Sequence, residues 1–180
     1  MSNVSHHMLL HRLRVARLAA TAFGALVSAA SFGQVTLKFG EGAGEVTIPA
    51  HYSQVDDKDA SLVVRSKPDG NVRLYFDLHK LDAAAAKVSR PAEALVREQA
   101  EKKGKQLKQH AGKMLFFDPS PPAKSGEETV LNLHWQIGFD KTLVVMSARV
   151  PQAAREAPDV KRFLSGDIEA IIASLRRVGG

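Results

Sequence analysis

Apolar and polar residues alternate cleanly along several stretches of the chain. In Val130 to Phe139, Leu131, Leu133, Trp135, Ile137 and Phe139 fall on one side, and Asn132, His134 and Gln136 on the other. That two-residue period is the mark of a half-buried strand. Val72 to Leu78 repeats it, with Val72, Leu74, Phe76 and Leu78 opposed to Arg73, Tyr75, Asp77 and His79. Val35 to Phe39 and Glu45 to Ile48 are shorter strands separated by Gly40, Gly42 and Gly44, and predict a hairpin ended by Pro49. Ser61 to Arg65, Met114 to Phe117 and Thr142 to Val150 complete the predicted strands, the last closed by Pro151. Lys67-Pro68-Asp69-Gly70-Asn71 and Asp140-Lys141 read as turns. Ser53 to Asp59 is polar and rich in turn formers, Asp118 to Pro122 ends a strand, and residues 123–128 read as a polar loop.

Helical spacing replaces alternation twice. Ser89 is placed to cap a helix with Pro91 in its first turn, running to about Lys103. Ala92, Leu95, Val96 and Ala100 form its narrow stripe, and Gly104 ends it behind Lys102 and Lys103. The closing segment is stronger: Val160, Phe163, Leu164, Ile168, Ile171, Ile172 and Leu175 recur every three or four residues from a start at Pro158 or Asp159. Arg176 and Arg177 suit its C-terminus. Lys105 to Lys113 fits either a helix extension or a strand, and Asp82 to Lys87 reads as an alanine-rich linker. The order predicts an α+β fold: a mainly antiparallel sheet with two amphipathic helices packed on it.

The N-terminus changes the compartment. Arg12, Arg14 and Arg17 precede an uncharged run from Leu18 to Val27, followed by small residues. The run is short against the roughly 20 apolar residues that span a bilayer. It predicts a signal peptide over residues 1–33, cut after Ala30 or Gly33, with an amphipathic helix or a retained anchor as the alternatives. No paired-arginine motif occurs, so export is expected by the Sec route to the periplasm. The chain has no cysteine, which excludes a lipoprotein, disulfides, thiolate metal ligands and a cysteine nucleophile. Residues 34–180 are expected to form a single domain, able to bury about 70% of its unfolded surface. Much of the formal +6 charge sits in the leader: 22 basic residues against 19 acidic ones remain after it, a balance of +3. That mild charge and the expected compartment argue against nucleic acid as a partner.

Three stretches carry a resemblance: Glu45-Val46-Thr47-Ile48-Pro49, the strand pair LNLHWQIGF and TLVVMSARVP, and the closing DIEAIIASLRR. Over most of residues 35–177 the element order resembles the PsbP-like family. That family includes the extrinsic oxygen-evolving subunit of photosystem II, DcrB-type envelope proteins and chaperones of type VI secretion effectors. The resemblance implies a domain that binds other macromolecules and is not an enzyme. Many DcrB-like members are lipoproteins, whose cysteine is missing here; the effector chaperones are cytoplasmic, whereas this chain is expected to be exported.

Alternation also defines the candidate site. Arg73, Tyr75, Asp77 and His79 share one side of a strand, and Asn132, His134 and Gln136 share one side of another. If the strands lie close, they form a binding face; the same pattern describes a sheet face turned to water. Asp77, His79 and His134 are the residues that could approach a metal, but no HxH or HExxH spacing accompanies them, and neither metal nor cofactor is assigned. Asp56, Asp57 and Asp59 match no full calcium loop. His51 and His110 read as ordinary surface residues. Lys102, Lys103, Lys105, Lys108 and Lys113 make a basic run, either a patch for an anionic partner or a solvated helix end. No nucleophile elbow, phosphate loop or carboxylate pair appears. The expected function is an exported protein-binding module without catalysis, such as an immunity-type inhibitor or a secretion accessory factor. Its expected partner is another envelope protein, a secreted effector or toxin among the candidates, with no stable membrane anchor after processing. The alternative is a periplasmic carrier of a small ligand or metal.

Overall fold

A computed structural model describes residues 33–57, 61–80 and 92–178. Apart from Gly33, the expected leader lies outside the described residues, as do Asp59, the linker Asp82–Lys87, Ser89 and Pro91.

The strands are β1 (Gln34–Phe39), β2 (Gly44–Pro49), β3 (Tyr52–Val55), β4 (Leu62–Ser66) and β5 (Arg73–Lys80). After helix α1 (Ala92–Lys102) come β6 (Leu107–His110), β7 (Lys113–Phe117), β8 (Ser120–Ser125), β9 (Glu128–Phe139) and β10 (Thr142–Pro151). A 3-10 turn (Gln152–Ala154), helix α2 (Pro158–Arg162), a π turn (Phe163–Asp167), helix α3 (Ile168–Ser174) and β11 (Arg176–Arg177) finish the described chain. All pairings are antiparallel. The large sheet runs β3-β4-β5-β10-β9-β7-β6, with β8 also on β9; the small sheet runs β1-β2-β11. The α+β fold expected from the residue pattern is the fold observed.

The core lies on one face of the large sheet. Leu74, Phe76, Ile137, Val144, Met146 and Ala148 point inward and are fully buried. Val160, Phe163, Ile171, Ile172 and Leu175 close over them from the terminal helices, and Phe39, Val46 and Ile48 from the β1–β2 hairpin. Asp159 fixes that roof. Its carboxylate, 2% exposed, accepts bonds from Ser66 Oγ (2.6 Å), the Asn71 backbone N–H (3.1 Å), Asn71 Nδ2 (3.1 Å) and the Val160 N–H (3.0 Å). Burial alone would raise its pKa, but these hydrogen bonds together hold it below the ordinary carboxylate value. Ser174 Oγ clasps the small sheet, accepting from the Thr47 N–H (2.9 Å) and lying 3.0 Å from the Thr47 carbonyl.

Helix α1 packs on the opposite face, where Val96 and Ala100 meet Phe116 and Leu143. Gly138 lets it approach: a Cβ there would stand 2.7 Å from the Ala92 carbonyl carbon and oxygen. The Ala92 N–H donates to the Asp140 carbonyl (3.1 Å), so the helix starts on the β9–β10 turn. It ends at Gly104, whose φ of +59° suits the left-handed cap.

Three expectations are corrected and one open alternative is resolved. The turn expected over Ser53 to Asp59 begins as β3, because Tyr52 is buried and Tyr52 to Val55 pair with β4. The ambiguous Lys105–Lys113 stretch becomes β6, hairpinned to β7. The polar loop after Asp118 is largely β8, fully exposed; Pro121 and Pro122 sit where its register shifts between Ser120 and Ala123, as an outer strand tolerates. The closing helix is not continuous. Phe163 and Ile168 are five residues apart, and the Ile168 N–H bonds the Phe163 carbonyl in a π turn that aligns them. That turn swings Leu164 out to 50% exposure, and Arg176 and Arg177 leave the helix to pair with Glu45 and Gly44.

Candidate functional site

The register puts both predicted groups on the same face of the large sheet, opposite the main core. They do not touch as neighbours: β10 runs between β5 and β9. Each row across the three strands is fixed by the pairing. Arg73 faces Arg149, which faces Asn132; Tyr75 faces Ser147, which faces His134; Asp77 faces Val145, which faces Gln136; His79 faces Leu143, which faces Gly138. Strand spacing near 4.8 Å leaves about 10 Å between the outer members of a row. Ser147 and Arg149 fill that gap. His134 Nδ1 lies 2.8 Å from Ser147 Oγ, and the Arg149 guanidinium stands over the Tyr75 ring, 5.2 Å from its centroid. The Oε1 of Gln136 is buried without a hydrogen-bond partner. Arg73, Tyr75, Asp77, Asn132, His134 and Gln136 are half-buried, and His79 is exposed.

Burial lowers the His134 pKa from its ordinary 6.5; Asp118 works against that shift, while Lys103 and Arg149 add to it. The imidazole is thus a neutral hydrogen-bonding group near neutral pH. Asp77 and His79 share β5 while His134 sits two strands away, and among the described residues no three His, Asp or Glu side chains gather as a metal site.

Sequence reasoning missed Arg65 and Arg149. Arg65 faces Arg73 directly, so Arg65, Arg73 and Arg149 form one unbroken row across β4, β5 and β10. The alternation of Leu143, Val145, Ser147 and Arg149 was the available signal, masked because β10 is apolar on both sides at its start.

The basic run is dispersed rather than a patch. Lys102 pairs with Glu98 (2.7 Å), and Lys103 and Lys105 both pair with Asp118, whose pKa falls through those two hydrogen bonds. Lys113 is 7% exposed; its ammonium donates to the Ala173 carbonyl (3.0 Å) at the end of α3, and burial lowers its pKa. His51 and His110 are tethers rather than ordinary surface residues. His51 Nε2 lies 2.7 Å from Asp167 Oδ2, which also accepts from the Tyr52 hydroxyl (3.0 Å), and His110 Nε2 lies 3.1 Å from the Glu169 carbonyl.

On the core side, β6, β7 and the terminal helices leave an open groove of about 380 Å³. Leu115, Phe117, Trp135, Leu164, Ile168 and Ile172 line it, with Phe117 40% exposed and tilted against Trp135 at 5.1 Å.

No protein-family model matches the chain, and no curated protein matches it. Solved structures do. One is a crystal structure of a protein from Bacteroides thetaiotaomicron, 14% identical, with a TM-score of 0.59 over 82% of this chain and 49% of that one. This chain therefore spans about half the length of that protein. Another is the solution structure of cyanobacterial PsbP (CyanoP) from Synechocystis, 11% identical, with a TM-score of 0.49 over 87% of this chain and 99% of that one. At such identities the likeness is one of fold alone.

Proposed function

We propose that this chain is an exported envelope protein that binds another envelope protein through the polar face of its large sheet and carries out no catalysis. The observation that supports it best is the composition of that face. Arg65, Arg73 and Arg149 stand with Tyr75, His134 and Asn132 on one side of adjoining strands, all of them half-buried or exposed. Arginine and tyrosine are the side chains that most often anchor protein interfaces, because each brings a flat contact area and fixed donors. Export rests on Arg12, Arg14 and Arg17 ahead of the uncharged run. An immunity-type inhibitor and a secretion accessory factor are the two forms this activity would take.

The test is capture on immobilised full chain from an envelope fraction. One saturable partner is expected, through an interface of about 800 Å² per side. Cell fractionation of the tagged protein is expected to place it in the periplasm. Failure to retain any protein saturably removes the proposal.

A second reading, a small-ligand carrier, draws on the groove beside Trp135. Trp135 is the sole tryptophan, so intrinsic tryptophan fluorescence reports on that groove alone. A naphthalene sulfonate that neither quenches it nor raises Tm would exclude this reading.

A further inference from the structure

Like charges placed directly opposite on neighbouring strands destabilise a sheet. Arg65, Arg73 and Arg149 break that rule twice in succession, since Arg73 faces both of the others. Asn132 and Ser120 continue the row on β9 and β8, and Ser53 continues it on β3, so every side chain along it offers a donor. Among the described residues no carboxylate forms an ion pair with the three arginines. Arg65 Nε donates to the Gly70 carbonyl at 3.1 Å, and Arg149 lies over Tyr75. Both arginines are exposed and Arg73 is half-buried.

We infer that this row is the docking surface for an extended acidic segment of the protein partner. The inference rests on the binding reading above and supplies the chemistry of the partner. Guanidinium groups pair bidentately with carboxylates, and three of them on long stems, spread over about 10 Å of neighbouring strands, would meet alternate acidic side chains of an extended segment, which lie about 6–7 Å apart. The row crosses six strands, from Ser53 on β3 to Ser120 on β8, a length that suits a chain rather than a free anion. Single-stranded nucleic acid needs aromatic faces on which bases stack, and the face of Tyr75 is already covered by Arg149. A lipid surface needs apolar side chains beside the charges. The exposed Phe117 faces Trp135 on the core side, and Leu164 belongs to the terminal helix that closes that side. Asp77 sits on the same face one row beyond Tyr75, and its charge confines an acidic segment to the arginine end.

The experiment uses the full chain and a fluorescein-labelled oligoglutamate of about eight residues, followed by anisotropy, with oligoglutamine and a thymidine oligonucleotide of equal charge alongside. Saturable binding of oligoglutamate alone is expected. It should weaken about tenfold or more in the Arg73→Gln/Arg149→Gln double variant, the loss of roughly one bidentate pair. The double variant Lys141→Gln/Lys161→Gln, with the same charge change away from the row, should stay within about twofold of the parent. Thermal melting confirms that each variant is folded, and the arginine variant is expected to melt no lower than the parent. Absence of saturable oligoglutamate binding overturns the inference. So does equal weakening in both double variants, or tighter binding of the oligonucleotide. If the arginine double variant still captures the envelope partner undiminished, the inference falls while the binding reading stands.

Discussion

The large sheet is read differently from its two sides. On the inward side, Leu74, Phe76, Ile137, Val144 and Met146 are sealed under the terminal helices, and the polar groups admitted there are pinned, as Asp159 is by Ser66 and Asn71. On the outward side the same strands expose three facing arginines with no carboxylate between them, a half-buried imidazole and a buried glutamine oxygen without a partner. One side is sealed and paired, and the other keeps like charges face to face. Strand alternation supplies a second face but does not dictate which side chains fill it, so the facing arginines are not set by the core pattern. The outward side carries like charges directly opposite one another, a choice that costs a sheet stability.

The largest effect should come from unsealing the inward side. Phe163 is fully buried and meets Trp135 edge-on at 6.1 Å, so Phe163→Ala should cost about 3–5 kcal/mol in chemical denaturation. Next is Asp159→Ala, which strands the donors of Ser66, Asn71 and Val160 and should cost about 1–3 kcal/mol. The sign of its pH dependence follows from its depressed pKa. The stability it contributes is present above the carboxylate's unfolded pKa and is lost as pH falls through the folded one, so the parent and Asp159→Ala curves should converge in acid. Gly138→Ala pushes α1 away from the outward side and should cost about 1–3 kcal/mol, read as a lower Tm.

Smaller effects sharpen the contrast by running the other way. Arg73→Gln removes repulsion on both flanks and should raise stability by about 0.2–1 kcal/mol, a gain a satisfied residue would not give. A loss instead would mean that the row is compensated in the free protein. Smallest is His134. Its folded pKa is lowered, chiefly by burial, so its contribution is full above pH 6.5 and declines as pH falls below that value. Its ring resonances should titrate below 6.5 in NMR, and His134→Gln should flatten the stability curve over that interval.

The two sides were also unequally legible from residue order. Alternation in β5 and β9 announced both faces, and the closing apolar spacing announced the roof. Strands β3, β6 and β8 did not show, because outer strands such as Ser120–Ser125 owe their conformation to a neighbour and not to their own apolar residues. The π turn was hidden by Leu164, which satisfies helical spacing on paper while the five-residue step from Phe163 to Ile168 excludes it from the core. The site was half legible. Its seven predicted residues share a face, but only the placement of β10 between β5 and β9 brings in Ser147 and Arg149, and only register brings in Arg65.

The Ser174 clasp on Thr47 joins residues 127 positions apart. A chain emerging from the ribosome therefore holds its first hairpin for nearly the whole of synthesis without the segment that covers Phe39, Val46 and Ile48. Contacts of such long sequence separation form late and slowly. Until they form, the nascent polypeptide presents apolar, incompletely folded surface.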